Sequence, residues 1–500
     1  MDFLSNLSLG LSVALTLQNI MYCFVGVLAG TSIGVLPGIG PLATIALLLP
    51  ITFSMPPDSS LIMLAGIYYG AQYGGSTTAI LLNLPGEASS AVTTLDGYQM
   101  ARRGEAGRAL ATAALGSFFA GTVATIVIAL FATPLTRVAL AFGPPEYFSL
   151  MILGLVSAVV LAHGSIMKAL AMVMLGLLLG TIGTDIYTGT SRLTFGLLEL
   201  ADGMNFVALA IGIFGIAEIL RNLEREDEPE GTVRTVKGLW LTLEDFRRIR
   251  WPVIRGTAIG SFLGILPGGG AMLSSFAAYV VEKKMSPHSA EFGKGAIEGV
   301  AAPESANNAG SQTSFIPMLT LGLPSNAVMA LMIGAMLIQG IVPGPSVIEK
   351  QPAMFWGLIA SMWVGNFMLV ILNLPLIGLW VRLITVPYQI LFVAVIGFSA
   401  IGIWSASGTA FSLYEVAFFS LIGYLFVRLE CEPAPLTLGF ILGPMMEEQL
   451  RRAMLMSRGD PSVFLTHPIS AGLLVAAALA IAVAAWPQVA RRREEAFREE

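Results

Sequence analysis

Charge is what this 500-residue chain has least of. Lys, Arg, Asp and Glu make up 12% of it against 55% hydrophobic residues, about half the roughly 25% charged share of a soluble domain. So few charges cannot cover a globular surface, which excludes a soluble protein. The first 86 residues carry only Asp2 and Asp58. Cysteine is nearly absent, and Cys23 and Cys431 stand too far apart in sequence to make a disulfide framework or a metal cluster. Histidine is as sparse, with His163, His288 and His467 each alone at loop-like positions. There is no HExxH motif, no close Cys/His pair and no GxxxxGK(S/T) phosphate loop. Neither a metalloenzyme nor an ATP-driven pump therefore has its residues here, and a net charge of −5 gives nucleic acid nothing to bind.

Long apolar runs take the place of charge. They cover roughly 9–36, 39–54, 60–84, 109–141, 146–162, 166–188, 199–220, 252–282, 306–342, 354–384, 388–404, 412–428 and 469–487, with a weaker one near 434–446. A run of about 20 apolar residues spans a bilayer as a helix. The pattern predicts an all-α polytopic membrane protein with roughly 10–12 spanning helices, some re-entrant or broken. No basic region precedes the first run, which reads as a retained helix and not a cleaved signal.

Residues 221–255 interrupt the pattern with eight Lys or Arg: Arg221, Arg225, Arg234, Lys237, Arg247, Arg248, Arg250 and Arg255. The positive-inside rule places this linker in the cytoplasm, with the Arg102–Arg108 loop, the Lys168 turn and the charged tail 491–500 on the same side. It divides the membrane part into 1–220 and 256–490. Lys283, Lys284 and Lys294 stay inside only if the run 252–282 dips in and returns, breaking at Leu266-Pro267-Gly268. Arg451, Arg452 and the tail can share a side only if one apolar segment between 428 and 487 fails to cross.

The two halves repeat one another. GTSIGVLPGIG (30–40) matches GSFLGILPGGG (260–270) at an offset of 230, AQYGGSTT (71–78) matches ANNAGSQT (306–313) at 235, and NLPGEA (83–88) matches GLPSNA (322–327) at 239. Helix parity leaves the copies inverted or parallel, with inverted preferred. Proline removes a backbone donor and glycine permits non-helical dihedrals, so each helix must break at Pro37, Gly38 and Gly40, or at Pro267, Gly268 and Gly270. A break inside the membrane is tolerated only where it lines a cavity or is buried in protein. Its free N–H groups then suit a carboxylate, and broken helices at matching places in two repeats point to a secondary transporter's site. Packing kinks alone are the plainer reading.

Uncharged polar blocks follow each break. Ser76, Thr77, Asn83, Asn307, Asn308, Ser311, Thr313, Ser325 and Asn326 are candidate substrate contacts, and Thr78, Gln312 and Glu304 candidate cation-coupling groups, since a hard cation prefers oxygen ligands. Helix-to-helix hydrogen bonding is the bland alternative. An acid at membrane depth is a functional candidate, and Glu304 is placed at the site's edge; Glu87, Asp96 and Glu298 read as surface groups. Isolated Arg192 and Arg382 read as interfacial anchors.

The blocks GVLPGIGPLATIALLLPITF, GAQYGGSTTAILLNLPGEASSAVTTLDGYQMARRGEAGRAL and APESANNAGSQTSFIPMLTLGLPSNAVMALMIGA resemble the large membrane subunit of the tripartite tricarboxylate transporters. The resemblance spans nearly the whole chain. It implies a multi-pass permease of the bacterial inner membrane that is no enzyme and needs no cofactor. It also implies a small membrane subunit of about four helices and a periplasmic solute-binding protein. Uptake of citrate-like or other carboxylates would be driven by a gradient of Na⁺ or H⁺. A channel-like or other solute permease, not specific for carboxylates, is the alternative.

Overall fold

Apolar runs bounded by Pro, Gly and capping polar residues fold as helices throughout. The computed structural model describes residues 3–36, 39–162, 165–224, 236, 238–266, 270–384 and 388–484. Pro37, Gly38, Pro267 and Gly268, with His163, most of the linker between 225 and 237, and the tail from 485, lie outside the described residues. In the first half the principal helices are α1 Phe3–Ala14, α2 Leu17–Gly34, α3 Pro41–Leu48, α4 Pro57–Leu82, α5 Ala106–Ala139, α6 Pro144–Leu161, α7 Ile166–Gly180 and α8 Phe206–Leu223. The second half contributes α9 Leu243–Leu263, α10 Gly270–Met285, α11 Glu298–Thr313, α12 Phe315–Leu321, α13 Ala327–Ile338 and α14 Pro352–Asn373. It closes with α15 Ile377–Ile384, α16 Tyr388–Ser407, α17 Phe411–Arg428, α18 Ala434–Met456 and α19 Pro468–Ala484. Among the described residues, a two-stranded ladder, Gly183–Thr184 with Ser191–Arg192, is the exception to the all-helical pattern.

Among the described residues, five helices are long and apolar enough to cross a membrane: α2, α5, α8, α14 and α17. Seven shorter apolar helices accompany them. The polar helices α4 and α11 are not among either group, although they are the most buried. Every residue of α11 is buried, and so is α4 from Ser59 onward. Protein surrounds them on all sides, so their hydroxyls and amides face other protein groups and not lipid.

Close backbone approach fixes their packing. A Cβ on Gly26, Gly30 or Gly34 of α2 would stand 2.3–2.5 Å from the Met63, Ile67 or Ala71 backbone of α4. On α9, a Cβ at Gly256, Gly260 or Gly264 would meet the Ala302, Ala306 or Gly310 backbone of α11 just as closely. These are two GxxxGxxxG stripes of the kind that lets membrane helices touch backbone to backbone. In both pairs the residue numbers rise together, so the paired helices run parallel. The segment between them must therefore bring the chain back to its starting end. In the second half the return is visible: Arg255 Nη2 and Nε reach Glu282 Oε1 and Oε2 at 2.7 and 2.8 Å, joining the body of α9 to the far end of α10. The helix partners Met63 and Ala302 stand 239 residues apart, as do Ile67 with Ala306 and Ala71 with Gly310. The contacts thus displace the 71–78/306–313 match by one helical turn from the offset of 235 at which the letters agree. The same spacing relates two left-handed helix ends, Asn83 at φ 59° and Gly322 at φ 72°.

Several surface expectations are corrected. Asp96 is fully buried, accepting from Tyr279 Oη at 2.9 Å and from the Gly295 and Ala296 N–H groups at 2.8 Å. Glu298 is buried too, and takes a bidentate pair from Arg248 at 2.8 Å, with His288 Nδ1 at 3.0 Å. Each acid is buried because donors from the opposite half enclose it or the linker helix covers it. Arg192 is no isolated anchor, since it pairs with Asp185 at 2.9 Å and Glu447 at 3.1 Å. His467 is not alone either, its Nδ1 standing 2.8 Å from Glu146.

Near the C-terminus the helix α18 runs parallel to α7, with Gly176 against Leu436 and Gly180 against Phe440. Lys168 donates to the Leu429 carbonyl at one end of this pair, and Arg451 holds Asp185 at 2.7 Å at the other. Arg451 and Lys168 therefore sit at opposite ends of the bundle.

Candidate functional site

The first residues of α3 and α10 and the chain turns after α4 and α12 converge on one cavity of about 630 Å³. Its wall is built mostly from helix starts. Gly40, Pro41 and Leu42 open α3, Gly270, Ala271 and Met272 open α10, and Asn326, Ala327 and Val328 open α13. Glu87, Ala88 and Ser89 begin a short 3₁₀ turn on the same wall. The sequence folds this way because Pro and Gly end one helix and a proline, glycine or capping residue opens the next. Asn326 is such a cap, with its Oδ1 accepting from Met329 N at 3.0 Å. The first N–H groups of a helix have no partner within it, so these helix starts turn positive ends toward one space, set against the carboxyl groups of Glu87, Glu218 and Glu432 in the same wall.

Side chains add selectivity. Tyr68 and Gln72 of α4 face the cavity from the buried core. Gln72 Nε2 donates to Ser311 Oγ at 2.6 Å, which leaves its buried Oε1 without a hydrogen-bond partner; the buried Ser89 Oγ is likewise unpartnered. At the other side of the cavity stand Glu218 and Arg221 of α8, with Glu432, and small residues Gly154, Ala158 and Ala162 of α6. Among the described residues of this lining, Arg221 is the one that is basic, 3.4 Å from Glu218.

Of the residues singled out in the sequence, Gly40, Gly270, Ser325 and Asn326 line this cavity. The others that are described sit mainly between α4, α5 and α11. Ser76 Oγ donates to Glu304 Oε2 at 2.7 Å, and Asn308 Nδ2 to Ser117 Oγ at 2.6 Å. Gln312 Oε1 accepts from Thr125 at 2.7 Å, and Thr77, Thr78 and Thr313 donate back to carbonyls of their own helices. Asn307 Nδ2 reaches Glu87 Oε1 at 3.1 Å, and Ser311 receives Gln72. Asn83 is the exposed, left-handed end of α4. Glu87 is correspondingly corrected from a surface group to a half-buried member of the cavity wall. Tyr68, Gln72, Ser89 and Arg221 were not foreseen. For Gln72 a signal existed, since in the AQYGGSTT/ANNAGSQT match its amide falls opposite that of Asn307.

The profile of the tripartite tricarboxylate transporter TctA family matches residues 20–438. The chain belongs to the TctA family. It is the membrane component of a tripartite transport system, a transport protein and not an enzyme. The chain is also similar to two proteins of Agrobacterium vitis. One, an uncharacterized 52.8 kDa protein in the TAR-I ttuC' 3' region, is 63% identical over 500 residues and the whole of both chains. The other, an uncharacterized protein in the TAR-II ttuC' 3' region, is 57% identical over 241 residues, covering 48% of this chain and all of the relative. No solved structure matches.

Proposed function

We propose that this TctA-family chain takes a small di- or tricarboxylate through the 630 Å³ cavity, in symport with Na⁺ or H⁺. The observation that carries the reading is the convergence of the starts of α3, α10, α13 and α18 on one cavity, with Arg221 at its edge. A multivalent carboxylate offers one oxygen pair to each positive helix end, and its hydroxyl or protonated carboxyl can donate to the bare Gln72 Oε1. The site is the alternative to arginine clamps that discontinuous helices provide in secondary transporters.

In this reading 1–220 and 256–490 are two membrane repeats joined by a cytoplasmic linker at 221–255. Inverted topology is supported by α4 and α11, which are counterparts at the 239-residue offset yet cross in opposite directions. Gln72 of α4 meets Ser311 of α11, while Ser76 further along α4 meets Glu304 further back on α11. Counterparts that cross antiparallel are related by an axis in the membrane plane. The hairpin α9–α10 and the return between α2 and α4 are then re-entrant elements. The chain lies in the bacterial inner membrane, working with a small membrane subunit of about four helices and a periplasmic solute-binding protein that delivers the substrate.

Reconstituting the three subunits in proteoliposomes and following labelled carboxylate uptake tests the whole. Accumulation that needs both the binding protein and an imposed Na⁺ or H⁺ gradient is expected. Accumulation without any gradient, or no flux for any carboxylate, overturns it.

A further inference from the structure

We propose that a second, much smaller cavity between α4, α5, α11 and α14 binds the coupling cation as bare Na⁺. The word coupling rests on the transport reading above; the binding does not. The space is about 20 Å³, room for one water-sized body, and oxygen-bearing side chains line it: Tyr73, Ser76, Thr77, Ser117, Glu304 and Asn373. Two of these have unmet needs. Glu304 is 1% exposed, and its two oxygens accept only from hydroxyls, Ser76 Oγ at 2.7 Å and Thr93 Oγ1 at 2.5 Å. None of the ion pairs among the described residues gives it a basic partner. An unpaired carboxylate so deeply buried is costly unless a positive charge joins it. Asn373, 5% exposed, donates through Nδ2 to the Leu369 carbonyl at 2.9 Å, and its Oδ1 has no partner among the described residues.

A proton on Glu304 would balance the charge and leave the Asn373 oxygen bare. A small hard cation answers both, since carboxylate, amide carbonyl and hydroxyl oxygens are the ligands it selects. The location also explains how the cation could be felt by the substrate. Ser76 is one helical turn beyond Gln72, whose side chain lines the large cavity, and Ser76 Oγ also reaches the Gln72 carbonyl at 3.2 Å. On the facing helix, Asn307 lies three residues after Glu304 and holds Glu87 of the large cavity's wall.

The test is the thermal unfolding of the full chain in lipid nanodiscs at constant ionic strength, with Na⁺ replaced by K⁺ or choline, at several fixed pH values. A saturable, Na⁺-specific rise in unfolding temperature is expected. It should vanish in Glu304→Gln, and Asn373→Ala should raise the Na⁺ concentration for half effect by about tenfold, the equivalent of one lost ligand. Tyr73→Phe, which deletes a single oxygen, serves as the mild variant should either of those fail to fold. No Na⁺ effect beyond K⁺ and choline, or full Na⁺ effects in Glu304→Gln and Asn373→Ala, overturns the site. A shift that follows pH and not Na⁺ and disappears in Glu304→Gln assigns the site to a proton, and also overturns it. Carboxylate uptake by reconstituted complex is measured beside it. Na⁺ binding without uptake leaves the site standing and removes the transport reading, whereas uptake indifferent to Na⁺ leaves the transport reading standing and removes the coupling role.

Discussion

Gly30 and Gly260 show how much one hydrogen atom decides in this protein. Each would place a Cβ 2.3 Å from a carbonyl oxygen, Ile67 O or Ala306 O, so no side chain fits without moving a whole helix. Gly30→Val and Gly260→Val are both expected to abolish the monodisperse peak in detergent size-exclusion of a fluorescent fusion. Gly238→Val, whose Cβ would meet nothing within 4 Å, should spare that peak, although its φ of 73° strains any side chain. Arg221 is a different kind of residue, exposed enough to be replaced safely. Arg221→Gln is expected to raise the half-saturating carboxylate concentration in the uptake assay about tenfold, the scale of one exposed or half-buried charge-assisted contact, with folding unchanged. An unchanged value would remove Arg221 from the site. The sequence made the polar blocks visible, because Ser, Thr and Asn without charges stand out among apolar residues. It hid which of them face a ligand. Thr77, Thr78 and Thr313 spend their hydroxyls on carbonyls within their own helices, a choice set by the helix face each occupies and not by residue type.

At the scale of elements the decisive unit is the helix, return and parallel helix. The α9–α10 return is closed by Arg255 and Glu282, and Glu282 is 1% exposed against 28% for Arg255. Removing one partner strands the other. Glu282→Gln should therefore lower the unfolding temperature measurably, by less than the roughly 3–5 kcal/mol of a fully buried pair because Arg255 keeps some solvent. The swap Arg255→Glu with Glu282→Arg should recover much of it, and a swap no better than the single variant would show that packing and not charge closes the hairpin. The return itself was legible, since Lys283, Lys284 and Lys294 demanded that the chain come back. The register of the second pair of blocks was not. Letters alone favour an offset of 235, whereas the backbone contacts of Met63, Ile67 and Ala71 correspond to those of Ala302, Ala306 and Gly310 at a spacing of 239. Asp96 and Glu298 escaped for a similar reason, as their donors are a tyrosine, backbone N–H groups and an arginine brought from distant sequence.

For the molecule as a whole, the antiparallel crossing of α4 and α11 carries a topological consequence. If they are inverted counterparts that both cross the bilayer, their first residues open on opposite faces. Asp58 lies in the first turn of α4, and Lys294 stands just ahead of α11. The linker arginines put Lys294 in the cytoplasm by the positive-inside rule, which leaves Asp58 outside. With Cys23 and Cys431 replaced by Ala, a membrane-impermeant thiol reagent should label Asp58→Cys in intact spheroplasts and Lys294→Cys only after lysis. Labelling of both from one side would make the repeats parallel. Arg451 adds an independent check: its pairing with Asp185 sets it at the end of the bundle away from Lys168, so Arg451→Cys should label with Asp58→Cys and not with Lys294→Cys. Three positions in three different elements must agree, and a chain that folded with α18 failing to cross would label Arg451→Cys only after lysis.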